Sequence, residues 1–419
     1  MTKNTAGSPA IGRRPSTPPT IAAERCVHNR AVVASCRACA DACPRGAWVV
    51  DGDGVSIDLP VCDGCGLCAA ACPQSVIAHG HRVARRRERT GTGRGLPVGF
   101  AACSRTGLRN AQENGHEDGH EDGHEDGHEG VEGVLPCLNV LSLADLAALY
   151  GGGVRRLVVA RGACASCPTG SSTAVRLERA VAELNVLLEG RGLPPLLLTR
   201  RSATPWRAQL AFDTVSDRED RTGDGSREES GEVSRRGLFR LSGLRRRDGG
   251  DAETGTPARM PAGTPPGRLL PPPASPRLAD AQPWPWVPSI DASVCEGCAS
   301  CARLCPTGAI RLDGGEAAAF RIAAEDCTGC RLCVDVCKPD ALILERLAPR
   351  RQTAVPLQAR RCPSCGVTAR LPAARPGTES LCPVCRRTAH RRQLFQVLDD
   401  TQDGVDDAAD DPANSTANP

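Results

Sequence analysis

The side chains here whose spacing points to chemistry are thiols. Twenty-four of the 419 residues are cysteine, and they fall in four groups. The third group reads CEGCASCARLCP from Cys295 and CTGCRLCVDVCKP from Cys327, each half with the spacing C-x2-C-x2-C-x3-C. Three thiolates two residues apart can wrap one corner of an iron–sulfur cube. The fourth opens a short helix leading away and reaches a second cube. One [4Fe–4S] cluster is therefore expected on Cys295, Cys298, Cys301 and Cys337, and its neighbour on Cys327, Cys330, Cys333 and Cys305. The first group uses the pattern again. CDGCGLCAAACP is regular from Cys62 to Pro73, but nine residues separate Cys26 from CRACADACP at Cys36. Crossover assigns Cys26, Cys36, Cys39 and Cys72 to one cluster and Cys62, Cys65, Cys68 and Cys43 to the other. The competing reading removes Cys26 as a ligand, leaving a three-iron cluster or ligation by His28.

The residues between the cysteines suit the same unit. AIRLDGG and AAAFRIAAED alternate enough for short strands with a turn at Gly314-Gly315, and Asp51 to Gly54 turns between WVV and VSID. From about Pro288 to Leu347 the chain resembles the bacterial-type two-cluster ferredoxins. It departs from them only where Lys338 follows Cys337 and Pro339 comes one place later. The resemblance implies a pseudo-twofold fold and an electron-transfer role. The first group is similar to the same family, which makes the chain polyferredoxin-like.

Between these groups the pattern changes to α/β. PVGFAAC, GVLPC, RRLVVARG and LPPLLLTR read as strands, and Leu141–Tyr150 and Ser171–Glu189 as helices. Cys103, Cys137 and the pair Cys164/Cys167 each sit just beyond a strand's C-terminal end, the edge of a parallel sheet where ligands bind. FAACSR, LPCLNVLS and ARGACASCPTG resemble the delta-subunit family of methyl-viologen-reducing hydrogenases. That likeness implies a [2Fe–2S] cluster on Cys103, Cys137, Cys164 and Cys167; reduced thiols, with Cys164/Cys167 as a redox dithiol, are the other reading. The repeat GHEDGHEDGHEDGHEG places His116, His120, His124 and His128 four apart, but a glycine in every repeat opposes a helix and the segment reads as filler.

Near the C-terminus two C-P-x-C knuckles, Cys362/Cys365 and Cys382/Cys385, resemble a zinc ribbon. Four thiolates in tetrahedral geometry suit one Zn2+. A rubredoxin-like single iron is the rival, with Arg386 where that family has glycine. Arg386, Arg387, Arg391 and Arg392 are candidates for nucleic-acid or protein contact, set against a solvated face in a chain where only Lys3 and Lys338 of 52 basic residues are lysine.

Small modules must position these thiols, because ten aromatic residues beside 44 Gly and 34 Pro cannot build one large core. The expected fold is α+β: two ferredoxin-like two-cluster modules (21–82 and 287–347) flanking a small parallel-sheet α/β domain (96–212). A zinc-ribbon-like element (355–398) follows. Disorder is expected over 1–20, the insert 111–131, the linker 213–286 and the acidic tail 399–419. ARRRERTGTGR, Ala84 to Arg94, reads as an inter-domain linker. SRRGLFRLSGLRRR, Ser234 to Arg247, reads as solvated linker or a partner-docking segment. A net charge of +3 favours neither nucleic acid nor membrane as partner. No apolar run is long enough to span a bilayer, and no leader precedes the first module, so a reducing cytoplasm is expected. No phosphate-binding glycine loop, nucleophile elbow or His/carboxylate constellation is present, which leaves no small-molecule substrate evident. The reading is an iron–sulfur electron-transfer protein working with a redox partner protein, rather than a stand-alone enzyme. The alternatives are a redox enzyme subunit using its middle site, and an iron–sulfur sensor with a nucleic-acid-binding ribbon.

Overall fold

A computed structural model describes residues 19–51, 54–78, 80, 82–88, 96–106, 108, 132–167, 175–211, 263–315, 318–374 and 381–388. The histidine repeat, the segment 213–262, the arginine-rich stretch at Ser234–Arg247, Arg391, Arg392 and the acidic tail lie outside the described residues. Helix and sheet are mixed throughout, in keeping with an α+β chain.

The N-terminal unit is built from two antiparallel pairs. Strand β1 (Thr20–Ile21) pairs with the distant β4 (Ile77–Ala78), and β2 (Trp48–Asp51) forms a hairpin with β3 (Gly54–Ile57), Trp48 opposite Ile57. Two one-turn helices, α1 (Ala38–Ala42) and α2 (Leu67–Ala71), each begin just before the third cysteine of a motif and are capped at the C-terminus by the fourth, Cys43 or Cys72. Such short helices are marginal alone. Trp48, Val76 and Ile77 pack them against the hairpin, together with the cysteine sulfurs.

The middle unit is a five-stranded mixed sheet. Strands β5 (Ala84–Glu88), β6 (Leu96–Cys103), β8 (Arg156–Ala160) and β9 (Leu197–Arg201) follow in that order, with the short β7 (Val134–Leu135) beside the end of β6. Strands β6 to β9 run parallel, as their apolar runs suggested, whereas β5 is antiparallel to β6. The stretch from Ala84, expected as linker, is therefore an edge strand over 84–88. Its backbone pairs with β6, Ala84 is buried, and Arg86 forms an ion pair with Glu132 at 2.7 Å. Charged residues suit an edge, where they deter pairing with other chains. Helices α3 (Leu143–Gly151) and α4 (Arg176–Glu189) cover one face through Leu146, Leu177, Leu184 and Leu188. α3 starts on a reciprocal Ser142/Asp145 capping box, which satisfies two backbone N–H groups that no helical bond reaches. On the other face Trp206, fully buried, sets its ring edge-on to Phe100 and donates to the Val158 carbonyl at 3.1 Å.

Residues 263–286, expected as the end of the 213–286 linker, are ordered and packed. Leu269 and Leu270 press on the middle core, and the Ala274 N–H donates to the Arg191 carbonyl at 2.8 Å. Arg268 holds Asp326 at 2.5 and 2.9 Å. This strap leads into β10 (Pro283–Ile290), which pairs antiparallel with β13 (Leu342–Pro349). Between them, β11 (Ile310–Asp313) and β12 (Ala319–Ile322) form a hairpin, and the short helices α5 (Ser300–Leu304) and α6 (Leu332–Asp335) follow the cysteine loops. The arrangement of the N-terminal unit is thus repeated.

The C-terminal segment does not stand apart. Strand β14 (Ala354–Arg361) pairs with β12 and with β15 (Thr368–Pro372), so one sheet, ordered β11-β12-β14-β15, joins the ribbon to the second cysteine unit. Val355 and Leu357 bury against Phe320 and fix that continuation. The last described element is the helix α7 (Pro383–Thr388).

Candidate functional site

In the second cysteine unit the loop geometry follows from single residues. Gly297 and Gly329 adopt positive φ, 69° and 75°, and Ala299 and Arg331, the residues that enter α5 and α6, also lie in the left-handed region. This winding turns the Gly297 N–H onto the Cys295 sulfur at 3.4 Å, and left-handed Asp340, φ 54°, precedes the Ala341 N–H that donates to Cys337 at 3.2 Å. The thiols meet in the crossed order. Cys301 is pushed up to about 12 by burial, to which the charges of Cys295, Cys298 and Cys337 add. Cys327 is pushed up to about 12, again by burial first and then by Cys330 and Cys305. Cys333 is raised by burial, by the other three members of its set and by Cys301 of the adjacent set. Thiols so buried lie far from their thiolate form, and a cationic centre that takes the charge offsets that cost. The donor chemistry therefore fits two four-thiolate clusters.

The N-terminal unit repeats these sets. Cys39 is pushed up to about 12 by burial, with Cys36, Cys72 and Cys26 adding charge. Cys26 thus stands with Cys36, Cys39 and Cys72 despite its irregular spacing. The single turn at Val27–Asn29 and the bend closed by the Ala34 N–H on the Ala31 carbonyl at 3.0 Å take up the extra residues. The His28 Nε2 lies 2.6 Å from the Cys36 carbonyl oxygen, which engages that ring nitrogen with backbone. Cys68 is pushed up to about 11 by burial and by Cys43 and Cys62, against a hydrogen bond from Trp48 that lowers it. Gly64 donates to the Cys62 sulfur at 3.4 Å, matching the Gly297 contact. The half-motif at Cys36 has no such glycine, and its helix starts from Arg37 at φ −123°.

At the C-terminus the sulfurs of Cys362, Cys365, Cys382 and Cys385 all lie within 4.8 Å of one another, close enough for a single ion. Cys362 is held down by backbone N–H donation from Cys382 and Cys365, and burial raises Cys385. In the middle unit, Cys103 ends β6, Cys137 follows β7, and Cys164 opens and Cys167 closes a single turn after β8, at one edge of the sheet. Cys137 is raised by burial, and Cys103 and Cys167 are near enough to add charge.

The second cysteine unit also has a counterpart among known families. Residues 294–341 match the 4Fe-4S dicluster domain family. No curated protein matches the chain. The dicluster match takes in all eight cysteines from Cys295 to Cys337 and supports [4Fe–4S] binding there. Among the described residues no helix is long and apolar enough to cross a membrane.

Sequence reasoning passed over Asn139 and Trp286 near these sites, and it did not foresee the contact that Arg386 makes. Asn139, buried, donates to the Cys137 sulfur at 3.6 Å while its Oδ1 accepts from the Leu177 N–H at 3.0 Å, tying the thiol to the start of α4. Trp286 of β10 covers the Gly329 loop of the dicluster domain. Arg386 of the ribbon, a candidate for nucleic-acid contact, forms an ion pair with Glu296 of the dicluster domain at 3.8 Å. A single asparagine or a lone tryptophan carries no periodic signal, so only the folded contacts mark Asn139 and Trp286.

Proposed function

We propose that the chain is a polyferredoxin-like electron-transfer protein. Cys26/36/39/72, Cys62/65/68/43, Cys295/298/301/337 and Cys327/330/333/305 would hold four [4Fe–4S] clusters, and Cys362/365/382/385 one Zn2+. Such clusters accept and release single electrons at potentials set by burial, charge and hydrogen bonds to sulfur. The observation that carries this reading is the crossed three-plus-one grouping of thiols in both cysteine units. The protein's part is to bury the thiols, to aim N–H groups at sulfur and to keep solvent away, while a partner protein of the redox class supplies or takes the electrons. Anaerobic protein reduced with dithionite should bleach in the visible and regain its colour with a one-electron oxidant such as ferricyanide. Purified chain without a reversible chromophore contradicts the assignment.

A second reading is favoured by one feature: Cys103, Cys137 and Cys167 converge at the sheet edge with Asn139 aimed at sulfur. On it the middle unit, similar to the hydrogenase delta subunits, would hold a [2Fe–2S] cluster and act within a redox enzyme. Cys164→Ala should then abolish a viologen-linked activity and remove about two irons per chain. Unchanged iron after this substitution leaves the middle thiols without a cluster.

A further inference from the structure

The two cysteine units, far apart in sequence, meet along a specific junction. The backbone N–H and hydroxyl of Ser35, immediately before Cys36, both donate to the Asp335 carboxylate, at 2.9 and 2.8 Å. Asp335 lies in α6, between Cys333 and Cys337. Val27, Ala34 and Leu332 form a small buried core between the units, and Cys36 and Cys330 pack against it from either side. A second polar tie, buried at both ends, joins the Gln74 amide to the Thr328 hydroxyl. The junction is thus apolar at its centre with hydrogen bonds at two points, the build of a fixed interface rather than a chance contact. The neighbouring contacts extend the line. At one end Leu67 is buried in the middle-unit core with Cys65 packed against it, and Arg176 donates to the Leu67 carbonyl. At the other end the set of Cys330 adjoins the set of Cys301.

We infer that the Cys36/Cys330 junction is where the two units exchange electrons, and that Ser35, Asp335, Gln74 and Thr328 are its positioning residues. This rests on the proposed cluster-binding function and adds the internal route: from the middle unit, past Cys65, to the Cys36 set, across to the Cys330 set and on to the Cys301 set. An exchange here forms and breaks no bond. The centre that one ligand set would hold gives up the electron that the centre on the other takes, with a one-electron reductant such as a reduced partner protein supplying it at one end.

The test uses full-length, anaerobically prepared chain carrying Cys65→Ala and Cys298→Ala, which leaves one complete ligand set in each unit, reduced with dithionite. Low-temperature EPR should show two spins split by mutual interaction. Adding Asp335→Ala and Gln74→Ala should abolish the splitting while iron and sulfide stay constant. Two unsplit signals in the parent, or a splitting that survives those two substitutions, overturns the junction. Should the parent not load with iron, fully reduced wild-type chain is compared with Asp335→Ala/Gln74→Ala: slower spin relaxation in the variant supports the junction and identical relaxation overturns it. Wild-type chain lacking acid-labile sulfide removes the cluster-binding function itself, an outcome distinct from loss of coupling in a loaded protein.

Discussion

Two of the thiol sets turn on a single residue that breaks the regular pattern or leaves room for a neighbour. Cys26 lies outside the regular spacing yet stands with Cys36, Cys39 and Cys72. Cys26→Ala is expected to cost one iron or one whole cluster and to change the EPR of the reduced chain; unchanged iron and spectra would exclude it as a ligand. Gly329 makes the opposite point, since its role is to lack a side chain. A Cβ there would lie 2.2 Å from the Trp286 ring, and φ is +75°. Gly329→Ala should therefore destabilise the holo-protein by about 3 kcal/mol, combining left-handed strain and overpacking. Gly314→Ala, where a Cβ meets nothing within 4 Å, should change stability by less than about 1 kcal/mol. Thermal unfolding of the two loaded variants checks both, and equal Tm values would contradict the packing argument.

At the scale of elements, the strands β6 and β8 and the helices α3 and α4 were legible because each buries an apolar run or face, and burial writes periodicity into sequence. The cysteine motif over 294–341, where the family match falls, was legible for a related reason: cluster ligation dictates the spacing of such loops. Two elements were not. Strand β5 is ARRRE, held by backbone bonds to β6 with charged side chains at the rim, so its composition looks like a linker's. The strap over 263–286 packs through isolated anchors, Arg268, Leu269 and Leu270, and proline-rich segments of that kind have no period to read. Arg268→Ala leaves the buried Asp326 carboxylate without its bidentate partner and should cost about 2–3 kcal/mol. Limited proteolysis should then cut within 263–282 of the variant while the wild-type strap should resist; an equally resistant variant would show that the ion pair does not anchor it.

Across the whole molecule the expected separate modules are joined. The strap ties the middle core to the dicluster domain, the sheet of β11, β12, β14 and β15 carries that domain into the ribbon, and Ser35–Asp335 and Gln74–Thr328 bring the two cysteine units together. None of these links is visible in a linear reading, because each joins residues far apart in the chain with no pattern of its own. The ribbon also covers the first cluster loop of the dicluster domain: a Cβ on Gly297 would run into the Arg370 carbonyl, and Arg386 pairs with Glu296. Cys382→Ser should therefore release the C-terminal metal and also speed the loss of dicluster colour in air by several-fold. A metal-free ribbon with unchanged dicluster lifetime would make the ribbon an independent appendage.

The claim on which the rest depends is that buried, crossed thiol sets hold inorganic clusters. The most direct measurement is iron, acid-labile sulfide and zinc per chain on protein purified without oxygen. About sixteen irons, sixteen sulfides and one zinc are predicted, or about eighteen irons with a two-iron centre in the middle unit. Chain that retains its fold with no acid-labile sulfide, its cysteines protonated or bonded to one another, would contradict the account.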